Sequence, residues 1–322
     1  MRLVHARVLG CLVASAYFAA AWMPSVAGAE DAREAFVTNQ LADSVSVVDL
    51  ASMKQVAAIP VSGRPAGIAL SPDRRTAYVT APEGKELIAI DAAQRRIAWR
   101  QTVGEGPLGI AVNPRTGLVY VANWYADEIV AVDPETQSIV GRVKVGRAPS
   151  GIAVTADGAT ILSADRESDA ISIIDASTLQ RVGEIKVGTH PFGVSIAPDG
   201  RAFAANVVSN DVSIIDLGAR SVVATVKVGA RPYGVAFAAG KAFVTNQAAR
   251  SVSVFDLAEL KPLATIPVGD YPEGIEATED GKAVYVACWS DNELVRINVD
   301  TLAVDGKAAV GDGPRAFGAF LR

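Results

Sequence analysis

Gly63-Arg64-Pro65-Ala66-Gly67 decides the reading, because its Pro-x-Gly core recurs along the chain. The copies are Pro107 with Gly109, Pro149 with Gly151, Pro191 with Gly193, Pro232 with Gly234, Pro272 with Gly274, and a degenerate last one at Pro314. Successive prolines lie 42, 42, 42, 41, 40 and 42 residues apart. A fixed period of this size marks a repeat architecture, in which each unit is one supersecondary element stacked on the next. Seven units account for residues 30–322.

Within each unit the apolar residues alternate with polar ones, as in Ser44-Val45-Ser46-Val47-Val48-Asp49 and Asp211-Val212-Ser213-Ile214-Ile215-Asp216. That period of two reads as β-strand, and helical periodicity is absent. Four such runs fit each unit, with turns such as Pro198-Asp199-Gly200 and Glu279-Asp280-Gly281 between the first and second. Four antiparallel strands per period of about 40 residues describe a blade of a β-propeller, and seven blades close a ring. The chain enters at Ala35-Phe36-Val37-Thr38-Asn39, a second strand, and leaves at Pro314 to Leu321, a first strand. The expected fold is therefore all-β and seven-bladed, with the C-terminal strand completing the N-terminal blade and leaving no open sheet edge.

The chain has 322 residues, half of them hydrophobic and 6% aromatic, the composition of an ordinary folded protein. Thirty Lys and Arg against 35 Asp and Glu give a formal charge of -5, so no global basic field gathers nucleic acid. The first 29 residues differ from the rest: Arg2 and Arg7, an apolar stretch from Val8 to Trp22, then Ser25-Val26-Ala27-Gly28-Ala29. This is the pattern of a secretory signal peptide cleaved after Ala29, which places the protein in the periplasm or outside the cell. Cys11 leaves with the signal, so Cys288 is the sole remaining cysteine. One cysteine allows no intramolecular disulfide, no c-type haem attachment and no cysteine-based metal site. No later apolar run is long enough to span a membrane. A monomer without cofactor is expected.

Phe36-Val37-Thr38-Asn39, Tyr120-Val121-Ala122-Asn123, Phe243-Val244-Thr245-Asn246 and Tyr285-Val286-Ala287-Cys288 resemble the Y-V-T-N repeat of the YncE-like exported seven-bladed propellers of bacteria and archaea. The resemblance covers residues 30–322 and implies fold; some members are thought to bind DNA, protein partners or redox-enzyme systems. Ala81, Ala164 and Cys288 are read as replacing the motif's Asn in three units.

Loops joining consecutive blades and loops between second and third strands share one face of a propeller, around the channel mouth. Arg64, His190, Arg231, Tyr233, Tyr271 and Arg315 flank the repeat prolines there, and Trp124 and Trp289 arrive from the other loop set. Arginine pairs bidentately with carboxylate or phosphate, and an indole or phenol offers a stacking plane, so these eight residues suit a planar anionic ligand. The competing reading is a solvated charge network, with Arg64, Arg166, Arg231 and Arg315 balanced by Glu273, Asp165, Glu167 and Asp270 and with aromatics plugging the channel. The expected function is a non-catalytic binding or assembly module for an unknown small anionic or aromatic ligand or a periplasmic protein. An accessory role in a periplasmic quinoprotein or oxidoreductase system, single-stranded nucleic-acid binding through stacking and Arg, and lactonase- or lyase-like catalysis are the alternatives. Catalysis fits poorly. His190 is the only histidine after residue 29, and Glu276 is the only acid in the segments read as innermost strands.

Overall fold

The computed structural model describes residues 33–322. The signal-peptide reading of residues 1–29 lies outside the described residues. Blade 3 shows the common plan: Pro107–Val112 lies innermost, followed outward by Val119–Asn123, Glu128–Asp133 and Ser138–Lys144, all antiparallel. Blades 4, 5, 6 and 7 begin at Pro149, Pro191, Pro232 and Pro272 and repeat it, and blade 2 begins at Gly67. Among the described residues the only helical element is the 3-10 turn Arg166–Ser168.

Burial explains the strand order within a blade. The second and third strands are covered on both faces by neighbouring blades, so Val119–Asn123 is buried throughout. The outermost strand Ser138–Lys144 alternates exposed residues with part-buried or buried ones, because one face looks at solvent. The glycine after each repeat proline marks the place where innermost strands of adjacent blades touch. A Cβ on Gly109 would stand 1.7 Å from the Ser150 carbonyl oxygen, and one on Gly193 would stand 2.3 Å from that of Tyr233.

Blade 1 is made from both ends of the chain. Glu34–Asn39, Ser44–Asp49 and Lys54–Pro60 supply three strands, and the C-terminal segment is the fourth. Phe36 N–H donates to Phe320 O at 2.9 Å, Arg322 N–H to Glu34 O at 2.7 Å and Arg315 N–H to Thr38 O at 2.8 Å. The expected closure holds, with one difference. Between the bridges Asn39–Pro314 and Ala35–Leu321 the C-terminal strand takes seven residue steps against four. The matching stretch of blade 3, Pro107 to Val112, takes five against four. The surplus leaves the ladder, and Phe317–Gly318 pairs in parallel with Gly67–Ile68 of blade 2 instead. The closing strand therefore bulges into the channel.

The Asn of the repeat is an internal anchor. Asn206 Nδ2 donates to Asp211 Oδ1 at 2.8 Å and Ser213 Oγ at 2.9 Å, and Asn246 bonds Ser251 and Ser253 in the same way. A glycine packs on each amide, since a Cβ on Gly229 would come within 2.6 Å of Asn246. In the fourth unit the reading of Ala164 as the substitute is corrected by the register: Asp165 pairs with Ala170 just as Asn123 pairs with Glu128. Asp165 fills the position and accepts from Ser163 Oγ and the Gly146 N–H. Ala81 does replace Asn, and Ser62 stands where the other units have the packing glycine, so both partners change together.

Candidate functional site at the upper channel mouth

Three rings of seven equivalent positions build the upper mouth. The first is the residue before each repeat proline: Arg64, Gly106, Ala148, His190, Arg231, Tyr271 and Gly313, all with φ between 51° and 68°. A left-handed backbone is unfavourable for side chains, and here it is held from outside. The N–H groups of Arg64, Ala148, His190 and Arg231 each donate at 2.8 Å to Asp43, Asp127, Asp169 and Asn210, respectively, in the preceding second-to-third-strand turn. These turns clamp one blade to the next.

The second ring is the residue after the proline: Ala66, Leu108, Ser150, Phe192, Tyr233, Glu273 and Arg315. Its large members close the channel. The Phe192 and Tyr233 rings stack at 3.9 Å, and Phe317 from the bulged closing strand packs on both at 5.0 and 5.9 Å. Behind this plug Arg315 Nε meets Glu273 Oε2 at 2.6 Å, and Arg315 Nη2 donates to the Tyr233 hydroxyl oxygen at 2.6 Å. Glu273 Oε1 accepts from Gln247 Nε2 at 2.8 Å, which leaves the buried Gln247 Oε1 without a partner. Burial holds the Tyr233 phenol well above its ordinary range. Burial opposes the Arg315 charge, but Glu273 and Tyr233 together outweigh it and raise the guanidinium's proton affinity.

The third ring follows the Asn position: Gln40, Pro82, Trp124, Arg166, Val207, Gln247 and Trp289. Arg166 lies 5.7 Å over the Trp124 ring and pairs with Glu167.

These rings enclose a pocket of about 320 Å³ lined by Trp124, Arg166, Phe192, Val207, Arg231, Tyr233, Gln247, Glu273 and Arg315. A side space of about 250 Å³ continues past Trp124 to Gln40, Leu108 and the exposed Tyr125. Of the eight residues expected from sequence, Trp124, Arg231, Tyr233 and Arg315 come together here. Arg64 instead faces Glu83 at 3.5 Å. His190 Nε2 lies 3.6 Å from Glu167 outside the pocket, and Tyr271 packs on Trp289 at 6.4 Å in the rim between blades 6 and 7. Arg166, Phe192, Val207, Gln247 and Glu273 complete the lining without being among those eight.

The pocket's charges are unequal in availability. Arg166 is matched by Glu167 and Arg315 by Glu273. Arg231 is exposed, and among the described residues its guanidinium has no hydrogen bond or ion pair. Among the described residues no group of three or more His, Cys, Asp or Glu gathers as metal ligands would, and no helix is long and apolar enough to cross a membrane. Cys288 is buried against Gly269, and burial, with Asp291 and Glu293 nearby, pushes its thiol up to about 12.

The fold is shared widely. Hydrazine synthase of Kuenenia stuttgartiensis is similar at 21% identity over 79% of this chain and 89% of that one, with a TM-score of 0.72. A functionally unknown protein from Desulfotomaculum acetoxidans DSM 771 is similar at 16% identity over 88% and 99%, with a TM-score of 0.77. Dihydro-heme d1 dehydrogenase NirN, in complex with DHE, is similar at 16% identity over 91% and 76%, with a TM-score of 0.66. At these identities the likeness is one of fold. No curated protein matches the sequence. A family model described as YNCE-like beta-propeller matches residues 18–115 and 104–281, and with the seven blades this places the chain in the YNCE-like β-propeller family.

Proposed function

We propose that this propeller is a non-catalytic binding module, exported after removal of residues 1–29, that takes a compact planar anion at its upper channel mouth. The observation carrying the reading is the state of Arg231. Two of the three arginines in the pocket are neutralised by carboxylates, while the third stands open beside an apolar, aromatic wall. A carboxylate or phosphate on a flat ring satisfies both: charge-assisted hydrogen bonds from Arg231, and contact with Trp124 and Phe192. Tyr233 and Arg315 support the floor instead of binding, since each already occupies the other. A redox-accessory role is the second reading, favoured by one neighbour being named a dihydro-heme d1 dehydrogenase.

Calorimetric titration of wild type and Arg231→Ala with aromatic carboxylates, carboxylated quinones, nucleotides and short single-stranded DNA tests the proposal. The expected result is a wild-type ligand whose affinity falls by about 1.5 to 3 kcal/mol in the variant, the range for a hydrogen bond to a charged group. No binding by wild type, or equal binding by both proteins, refutes it. Tightest binding by a carboxylated quinone supports the redox-accessory reading. Export is tested separately by the N-terminus of protein from the envelope fraction, expected at Glu30.

A further inference from the structure

The lower half of the channel is a second space of about 390 Å³ with a different chemistry. Phe317 and the stacked Phe192–Tyr233 pair stand between it and the upper pocket. Its wall is strand backbone and small aliphatic side chains such as Ala69, Ala111, Ala153 and Ala236, and Glu276 is its only ionisable residue. One carboxylate oxygen is committed: Oε2 accepts the N–H groups of Phe320 at 2.5 Å and Leu321 at 2.8 Å in the closing strand. No hydrogen bond reaches Oε1 among the described residues.

Among the described residues no ion pair is formed by this group. Arg74, the cation acting on Glu276, is paired with Glu279, and Arg322 at the end of the closing strand is held by Glu34 at 2.7 Å. Glu34 is also held by Arg95 at 2.6 Å. A carboxylate drawn out of water without a counter-cation is costly, so such a group keeps a proton or takes a cation. Burial accordingly pushes the Glu276 carboxyl up to about 7, against the pull of the two N–H groups.

We propose that the lower channel binds a compact organic ammonium, its charge on Glu276 Oε1 and its hydrocarbon body against the aliphatic wall. The site is independent of the anion site above the plug and of opposite sign. Proton and ammonium compete for one carboxylate, so affinity rises with pH; the charged groups acting on it are Arg74 and Glu279, the closing strand that bonds it ends in the Arg322–Glu34 pair, and no histidine is among them.

The probe is n-butylammonium, with n-butanol and butyrate as neutral and anionic controls, titrated calorimetrically into the propeller. Saturable binding is expected at pH 8 for the ammonium alone, weakening about tenfold per unit below pH 7 as protons displace it. Glu276→Gln should bind at least tenfold more weakly, while its amide oxygen still accepts from Phe320 and Leu321. Absence of saturable binding at pH 8, equal affinity for n-butanol, or undiminished binding by Glu276→Gln overturns the proposal. Should that variant fail to fold, the wild-type pH profile and the n-butanol comparison decide.

Discussion

Arg315 Nε lies 2.6 Å from Glu273 Oε2 with both side chains largely shut off from solvent, 16% and 5% exposed. The pair joins the closing strand of blade 1 to the innermost strand of blade 7. It is thus a seam of the ring as well as the floor of the mouth. Gln247 and Tyr233 extend the contact to blade 6, so four side chains from three blades form one polar unit.

Removing one member of that pair should cost more than the pair contributes. Arg315→Met leaves Glu273 buried without its cation, and chemical denaturation should show a loss of about 3 to 5 kcal/mol. Adding Glu273→Gln should restore part of it. A single variant as stable as wild type would show that water reaches the carboxylate freely.

The closing strand is expected to behave as structure and not as a tail. Deleting residues 316–322 removes the ladder to Glu34, Ala35 and Phe36, the Phe317 contact with the plug and the Arg322–Glu34 ion pair. The melting temperature should fall by more than about 10 °C, and the uncovered strand edges should promote association. Light scattering together with a thermal scan checks both.

Seven blades and their closure were legible because the repeat proline and glycine are backbone devices, and their spacing survives whatever the side chains do. The site was half legible. Residues on either side of one proline look equivalent in sequence, yet the preceding one is left-handed and placed on the rim, from which only Arg231 among the expected residues reaches the pocket, while the following one enters the channel mouth. Arg64, His190 and Tyr271 were set aside by that geometry, whereas Tyr233 and Arg315 were placed inside. Nothing local signals that a His or an Arg will adopt positive φ; the cue is the Asp or Asn 21 residues earlier whose side chain receives its N–H. Gln247 has neither a charge nor a ring, so its side chain carries no signal of the kind that singled out the arginines and aromatics. The surplus residues of the closing strand were hidden for a simpler reason: the last unit has no following proline against which to count.

Two glycines should separate close approach from backbone conformation. Gly109→Ala puts a methyl group 1.7 Å from the Ser150 carbonyl oxygen, which only movement of blade 3 against blade 4 relieves. Gly117 has φ of +75° but nothing within 4 Å of a new Cβ. Denaturant unfolding should give a loss of about 3 kcal/mol or more at Gly109 and about 1 kcal/mol at Gly117. Equal losses would remove inter-blade contact as the reason for the repeat glycine.

Glu276 makes stability depend on pH in the direction opposite to most carboxylates. Its folded-state value of about 7 lies above the 4.5 of the free group, because burial outweighs the N–H groups of Phe320 and Leu321. The folded protein therefore binds more protons than the unfolded chain between those values. Unfolding free energy contributed by this residue is fully present below pH 4.5 and is lost as pH rises through 7, by about 2 kcal/mol once channel water is allowed for. Surface acids such as Asp175 and Asp280, both held near 2 by hydrogen bonds within their turns, act in the other sense and only below about pH 4. Between pH 5 and 8 Glu276 contributes a downward slope, and the buried Asp165, also raised by burial, acts in the same sense. Urea midpoints of wild type should therefore decline more steeply across this interval than those of Glu276→Gln, which is neutral at that position throughout. A wild-type midpoint that rises with pH, or a variant with the same decline, would mean the carboxylate is already neutralised by a cation inside the lower channel or is open to bulk water.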